Sequence, residues 1–214
     1  MSTGNNLFWS SRLFLFCEQC KVMRRFYTAS VRFAALDLWM SCLYLFSNPY
    51  RMCRRHFKKA GEQNIHLYGE TPLTVWKVMA ELSEFKETDR FVDLGSGRGR
   101  LCFWTHLWFG CQTTGVDWVP QFINKAQKLA ALFRLIGVRF VSDRISDADL
   151  GDATVVYLYT FHPDEEIIDF KKLATDARVI TVSEPIAREG FMVHKSCQAQ
   201  FPWGPADIYI NKKL

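Results

Sequence analysis

The sequence predicts an α/β protein. Five parallel strands and a C-terminal antiparallel hairpin form one doubly wound, seven-stranded sheet, preceded by a helical N-terminal extension. Three observations predict it. From residue 61 onward, short apolar runs alternate with segments of helical period. The first of these runs ends in a cluster of glycines that opens a helix. The last two runs are separated only by a Pro/Gly turn, too short to hold a crossover helix.

The elements follow in order. FVDLG (91–95) reads as strand one, and Arg100–Phe109 as a helix with Leu101, Trp104, Leu107 and Trp108 on one face, stopped by Gly110. TTGVD (113–117) is strand two. Pro120 opens the next helix at its favoured first position, and Phe122, Ala126, Leu129, Phe133 and Ile136 form its apolar face up to Gly137. VRFVSD (138–143) and ATVVYLY (153–159) are strands three and four. A helix from Pro163 is expected to carry Ile167, Phe170 and Leu173, with Asp164, Glu165 and Glu166 at its positive end. RVITVS (178–183) is strand five. Residues 192–200 and 206–212 are the hairpin strands, joined through FPWGP (201–205). Alternation at this spacing places the strands parallel, with helices on both faces.

The 214 residues suit one domain with a small appendage, and 49% hydrophobic with 23% charged residues excludes disordered and fibrous classes. Charge divides the chain. Residues 1–60 hold ten Lys/Arg against Glu18 and Asp37, a net +8, whereas residues 61–214 carry a net −3. This divides the chain into a basic, aromatic-rich extension (1–60) and a body (61–214). In the extension, residues 7–17 and 29–46 read as helices, the second apolar around most of its circumference. Such a helix packs on the body, docks a partner or lies on a membrane surface. The run RMCRRHFKK (51–59) suits anionic lipid, nucleic acid or a solvated face. No apolar run approaches the roughly 18 residues of a membrane-spanning helix.

Seven cysteines in no regular framework, without a visible cleavable signal peptide, read as reduced thiols in an intracellular, cytoplasmic setting, peripheral to a membrane if the extension docks there. Cys17 and Cys20 form a CxxC pair, with Cys42, Cys53 and His56 downstream. The second pair is too dispersed for the four converging ligands of zinc, so buried free thiols are expected and no metal site.

The chemistry concentrates in Asp93-Leu94-Gly95-Ser96-Gly97-Arg98-Gly99-Arg100. Glycines after a strand allow a ligand to approach the backbone closely. Asp117, at the tip of strand two, can accept the hydroxyls of a ribose, and Trp118 can pack on an adenine ring. Asp93 would repel a diphosphate and attract a cationic amine. These residues resemble the class I S-adenosylmethionine-dependent methyltransferases, whose fold is Rossmann-like. The resemblance implies that Asp93, Gly95, Ser96 and Gly97 line the methionine and ribose part of S-adenosyl-L-methionine. It also implies that Asp117 holds the ribose, with Trp118 and Asp143 near the adenine.

The stretch Tyr68-Gly69-Glu70-Thr71-Pro72, in which Thr71 is placed to cap a helix starting at Pro72, narrows the likeness. YGETPLTVWKVM with TDRFVDLGSGRGR, ATVVYLYTFHPDEE, DARVIT and FPWGPADIYI is similar to the non-SET histone-lysine methyltransferases of the disruptor-of-telomeric-silencing type and to their bacterial and mitochondrial lysine methyltransferase relatives. This similarity covers residues 64–212. It implies a loop carrying Tyr68, Glu70 and Thr71 closed over the methionine end, and a lysine side chain of a protein as methyl acceptor. Tyr159-Thr160 stand where the histone enzymes have paired asparagines, and their long basic extension has no match here. Tyr157, Tyr159, Phe161 and Trp203 are candidates for a ring-lined acceptor channel or for core packing, and His162 for a proton acceptor or a loop residue. A small-molecule or RNA acceptor, and a non-catalytic cofactor-binding subunit, are the alternatives.

Overall fold

A computed structural model describes residues 3–62 (side chains from residue 13), 68–159 and 168–214. The sheet is built from β1 (Arg90–Leu94), β2 (Gln112–Asp117), β3 (Val138–Ser142), β4 (Val155–Leu158), β5 (Arg178–Val182), β6 (Phe191–Phe201) and β7 (Gly204–Lys213). Its order is β3-β2-β1-β4-β5-β7-β6, with β1 to β5 parallel and β7 antiparallel to both of its neighbours. This is the seven-stranded mixed sheet that the alternation implied. The strand order reverses between β1 and β4, so their carboxyl ends flank the crevice where ligands bind in open α/β sheets. Register places Asp93 between Gly115 of β2 and Tyr157 of β4.

The period-two alternation of each strand divides the core. Phe91, Tyr157, Ile180 and Val182 join one apolar cluster with the helices α4 (Leu73–Leu82), α5 (Arg100–Phe109) and α6 (Pro120–Leu132). Val92, Leu94, Val116, Val156, Leu158 and Val179 join the other, beneath Leu150, Ile168, Phe170 and Leu173. That second face is covered by the β4–β5 crossover. Its described part contains a 3-10 turn at Phe170–Lys172 where a helix from Pro163 was expected, and residues 160–167 lie outside the described residues.

Two further expectations are corrected. Helix α6 stops at Leu132, because Arg134 takes a left-handed backbone (φ 50°), and Ile136 is left fully exposed instead of joining the apolar face. Thr71 does not cap α4, because its hydroxyl is shared with Tyr157. The capping carboxylate comes from Glu18, whose oxygens accept the Thr74 N–H (2.9 Å) and the Thr74 hydroxyl (2.6 Å). An acceptor at this position satisfies a helix-terminal N–H that the chain before α4 leaves open.

Glu18 belongs to α1 (Thr3–Val22), the first of three N-terminal helices. A π-helical turn (Met23–Tyr27) leads to α2 (Val31–Leu43), capped by the Ser30 hydroxyl on Phe33 N–H, and then to α3 (Pro49–Lys59). Asn48 caps α3, with Pro49 at its first turn. The inward residues Val22, Phe26, Phe33, Leu36, Met40 and Cys53 are continuous with the core of the body. The polar anchor is Asp37, buried in α2. Arg100 Nε and Nη2 donate to its two oxygens (2.8 and 2.6 Å), and the Tyr27 hydroxyl donates to Oδ2 (2.7 Å). Burial and the Asp37 carboxylate together push the Tyr27 phenol up to about 12.

Removing one partner of a buried, doubly bonded ion pair strands the other charge. Asp37→Ala is therefore expected to cost about 3–5 kcal/mol. The measurement is a denaturant melt, and a loss below about 1 kcal/mol, the level of an exposed pair, would show that the pair contributes little.

The cysteines divide differently from expectation. Cys53, Cys102 and Cys111 are buried and free, whereas Cys17, Cys20 and Cys42 are free and exposed. The first two lie on the outward side of α1, where no core reaches them. Among the described residues no cluster of three or more His, Cys, Asp or Glu side chains is placed to hold a metal.

Candidate active site

A crevice of about 530 Å³ opens at the carboxyl ends of β1, β2 and β4. Its floor is the glycine loop after β1. The Gly95 and Ser96 N–H groups both donate to the Val116 carbonyl at 2.9 Å, folding the loop back over β2. Gly97 (φ 52°) and Gly99 (φ 78°) adopt the left-handed backbone that favours glycine. A Cβ at Gly99 would stand 2.4 Å from the Phe140 ring, and one at Gly97 would stand 3.3 Å from the Tyr68 ring. Steric need thus fixes both glycines where the loop passes under the crevice.

Two buried carboxyl groups face this loop. Asp117 ends β2; its Oδ2 accepts the Gly97 N–H and its Oδ1 the Val119 N–H, both at 2.8 Å. Burial pushes it up to about 6, against the pull of the two N–H donors. Asp93, in β1, has among the described residues only a weak thiol contact from Cys102 (3.8 Å). Burial, and then the charge of Asp117, push it up to about 7. The cations lining the crevice are committed elsewhere: Arg98 to Glu70, Arg100 to Asp37, and Arg144 stacked 3.9 Å above the Trp118 ring. Ser96 Oγ is buried without a partner among the described residues. Two under-compensated carboxyls, an orphan hydroxyl and a glycine cradle fit a ligand that brings hydroxyls and positive charge.

The preceding loop forms one wall. Glu70 accepts two hydrogen bonds from the Arg98 guanidinium and one from the Tyr68 hydroxyl. Burial raises Glu70, but Arg98 outweighs it and holds the carboxyl below its ordinary range. On the far side the Tyr157 and Thr71 hydroxyls share a buried hydrogen bond of 2.6 Å, and burial drives the Tyr157 phenol far up. Tyr159 accepts the Trp203 indole N–H at 2.7 Å, and Trp203 stacks on Phe201. Tyr157 and Tyr159 leave the strand on the same side, as the alternation implied.

Every candidate residue among those described lines this crevice except Asp143 and Trp203. The Asp143 carboxylate accepts the N–H of its own neighbour Arg144 (2.9 Å), and it is Arg144, Ile145 and Ser146 that reach the crevice. Phe161 and His162 lie outside the described residues. Sequence reasoning missed Cys53 and Phe57. They stand one turn apart on α3 and close the end beside Trp118, where Phe57 packs 5.4 Å from the indole. The one local signal was an apolar pair at helical spacing within a basic helix.

Comparison with known proteins adds three findings. A family model described as "Histone methylation protein DOT1" matches residues 55–141. An RNA methyltransferase from Salinibacter ruber, solved in complex with S-adenosyl-L-homocysteine, is 26% identical with a TM-score of 0.56, over 66% of this chain and 93% of that one. A putative methyltransferase, yhhF, from Escherichia coli (14% identity, TM-score 0.58, 69% of this chain and 89% of that one) shares the fold. So does TrmN from Thermus thermophilus (13%, 0.58, 69% and 51%). No curated protein sequence matches the chain.

Fold, crevice and likenesses together define a class. The protein is an S-adenosylmethionine-dependent methyltransferase with the seven-stranded class I fold.

Proposed function

We propose that this enzyme methylates lysine side chains of a protein by direct displacement at the sulfonium methyl. The family match over residues 55–141 carries the reading, because it spans the Tyr68–Thr71 wall and the glycine loop at once. The rings of Tyr157 and Tyr159 beside the crevice support it. When bound, S-adenosylmethionine would supply a methyl group on a positively charged sulfur, with S-adenosylhomocysteine as the leaving group of the displacement.

The residues have separable roles in this reading. Asp117 would accept from the ribose hydroxyls, Asp93 would hold the ammonium of the methionine part, and the backbone of Gly95–Gly97 would hold the sugar. Trp118 and Phe57 border the adenine. Glu70, held by Arg98 and Tyr68, and Thr71, held by Tyr157, close the methionine end.

Attack requires a neutral amine, whose ordinary pKa is about 10.4. Desolvation between rings and proximity to positive charge both lower that value, so the proton can leave to solvent before transfer. Tyr157 and Tyr159, each fixed by a hydrogen bond through its hydroxyl, then align the nitrogen and exclude water, which is where such a site gains rate. We place the enzyme inside the cell, where its seven free thiols remain reduced.

The 26% identical structure of an RNA methyltransferase and the basic face of α3 favour RNA as the second reading. One assay separates the two. With methyl-labelled cofactor and whole-cell lysate, the label is expected to be lost on protease digestion, to survive nuclease, and to be recovered as methyl-lysine on hydrolysis. Label lost to nuclease overturns the lysine assignment.

A further inference from the structure

We propose that the outer face of the N-terminal helices is a docking surface for a bilayer bearing anionic headgroups. The charge distribution is the first observation. Glu18 and Asp37 are the only acids in residues 1–60, and both are buried and consumed internally, one capping α4 and the other binding Arg100. Every charged side chain left exposed in residues 13–59 is cationic. Lys21, Arg24, Arg25 and Arg32 are exposed, and so are Arg51, Arg54, Arg55, Lys58 and Lys59 on α3. A surface of one sign is what a lipid surface of the opposite sign recognises.

The second observation is the apolar side chains exposed on the same helices. The inward face of α2 is filled by Phe33, Leu36 and Met40. Its outward positions, where a surface helix ordinarily carries polar groups, are Val31, Ala35, Leu38, Trp39 and Cys42, all exposed. The turn into α3 adds Leu45 (71% exposed) and Phe46 (99% exposed). On α1, Leu13, Phe16, Cys17 and Cys20 repeat the pattern at helical spacing, again facing outward. No described helix is long and apolar enough to cross a membrane. Apolar stripes bordered by cations, on helices anchored to a folded body, have the character of an interfacial surface.

The aliphatic members decide between lipid and nucleic acid. Phosphate neutralisation uses Arg and Lys, and bases stack on Trp39 or Phe46. Val31, Leu38 and Leu45 gain nothing from a polyanion in water, and all three gain from an acyl-chain boundary. Docking through α2 and α3 would also hold the crevice close to the bilayer, because Cys53 and Phe57 of α3 form part of its wall.

The test is flotation of the full chain with vesicles, and it needs no methyl acceptor. With equimolar phosphatidylglycerol and phosphatidylcholine, the protein is expected to float, and with phosphatidylcholine alone to stay at the bottom. Neutralising Arg54, Arg55, Lys58 and Lys59 to Gln should weaken the partition by about fivefold per charge, an effect that high salt mimics. Leu45→Ser with Phe46→Ser should weaken it at least about tenfold even at low salt, with an unchanged melting temperature because both residues are solvent-exposed. Three results overturn the proposal: no flotation with the anionic vesicles, flotation untouched by the Leu45/Phe46 changes, or a salt-dependent gel shift with RNA in a protein that ignores vesicles.

Discussion

Asp93→Asn is expected to make the ligand-free protein more stable at neutral pH and at the same time to weaken cofactor binding sharply. The structure sets both signs. Asp93 is buried in β1 with the Cys102 thiol as its one hydrogen-bonding partner among the described residues, and burial, then the neighbouring Asp117 charge, raise it from the ordinary 3.8 to about 7. Between about pH 4 and pH 7 the folded chain therefore holds a proton that the unfolded chain has released, and stability from this group falls as pH rises through that window. Complete ionisation costs roughly 4 kcal/mol, a value that belongs to the Asp93–Asp117 pair rather than to either acid alone. Asparagine keeps the shape and removes the charge. Its melting temperature should exceed that of the wild type above about pH 7 and approach it in mild acid. Affinity for S-adenosylhomocysteine should drop by about 100-fold, the loss of a charge-assisted hydrogen bond at a buried site. In the wild type that affinity should climb with pH up to neutrality as the carboxyl ionises. Melts across pH and titration calorimetry read these effects. A variant that melts lower at neutral pH and binds the ligand as before would remove Asp93 from the cofactor site.

This opposition between stability and binding was partly legible in the chain. The acid before the first glycine and the acid at the tip of β2 are local patterns, each fixed by a few neighbouring residues, and they delimit the crevice floor. The strands were equally legible, because a short β-branched run between turn residues has few other conformations. What escaped was set by contacts distant in sequence. The cap of α4 comes from Glu18, 56 residues upstream of Thr74, so the adjacent Thr71 looked like the natural donor of a cap and instead binds Tyr157. Arg100 sits in the glycine motif, yet its role is to hold Asp37 of α2. Cys53 and Phe57 belong to a segment set apart by its charge, and only the folded chain brings them to the crevice. Ile136 matched the apolar period of α6 and is fully exposed, because the reversal at Arg134 ended the helix before the period did. Periodicity reports a helix only as far as the backbone continues it.

Asp117→Ala should have the opposite effect on stability from Asp93→Asn, although the two carboxyls share one crevice. Asp117 is also raised by burial, to about 6, but its oxygens accept two backbone N–H groups, from Gly97 and Val119. Truncation leaves both donors buried and unpaired, each worth about 1–3 kcal/mol. Against this stands the relief of an ionisation penalty, which is absent in acid, where the carboxyl is protonated already. The variant is therefore expected to lose about 2–6 kcal/mol in acid, where nothing offsets the two stranded donors, and less at neutral pH. Binding should suffer more than folding. The glycine loop loses the bond that sets Gly97 beneath the crevice, and in the proposed reading the ribose hydroxyls lose their acceptor. Thermal shift with S-adenosylhomocysteine separates the two effects. The ligand should raise the wild-type melting temperature and leave that of Asp117→Ala unmoved, with methyl transfer lost at all cofactor concentrations. Asp117→Asn tests the chemistry. One acceptor survives, but the amide N–H₂ must face either the Gly97 or the Val119 donor, so donor meets donor. It should fold nearly as well as the alanine variant and bind little better. A full ligand-induced shift in either variant would show that Asp117 only braces the loop and that the nucleoside is held elsewhere.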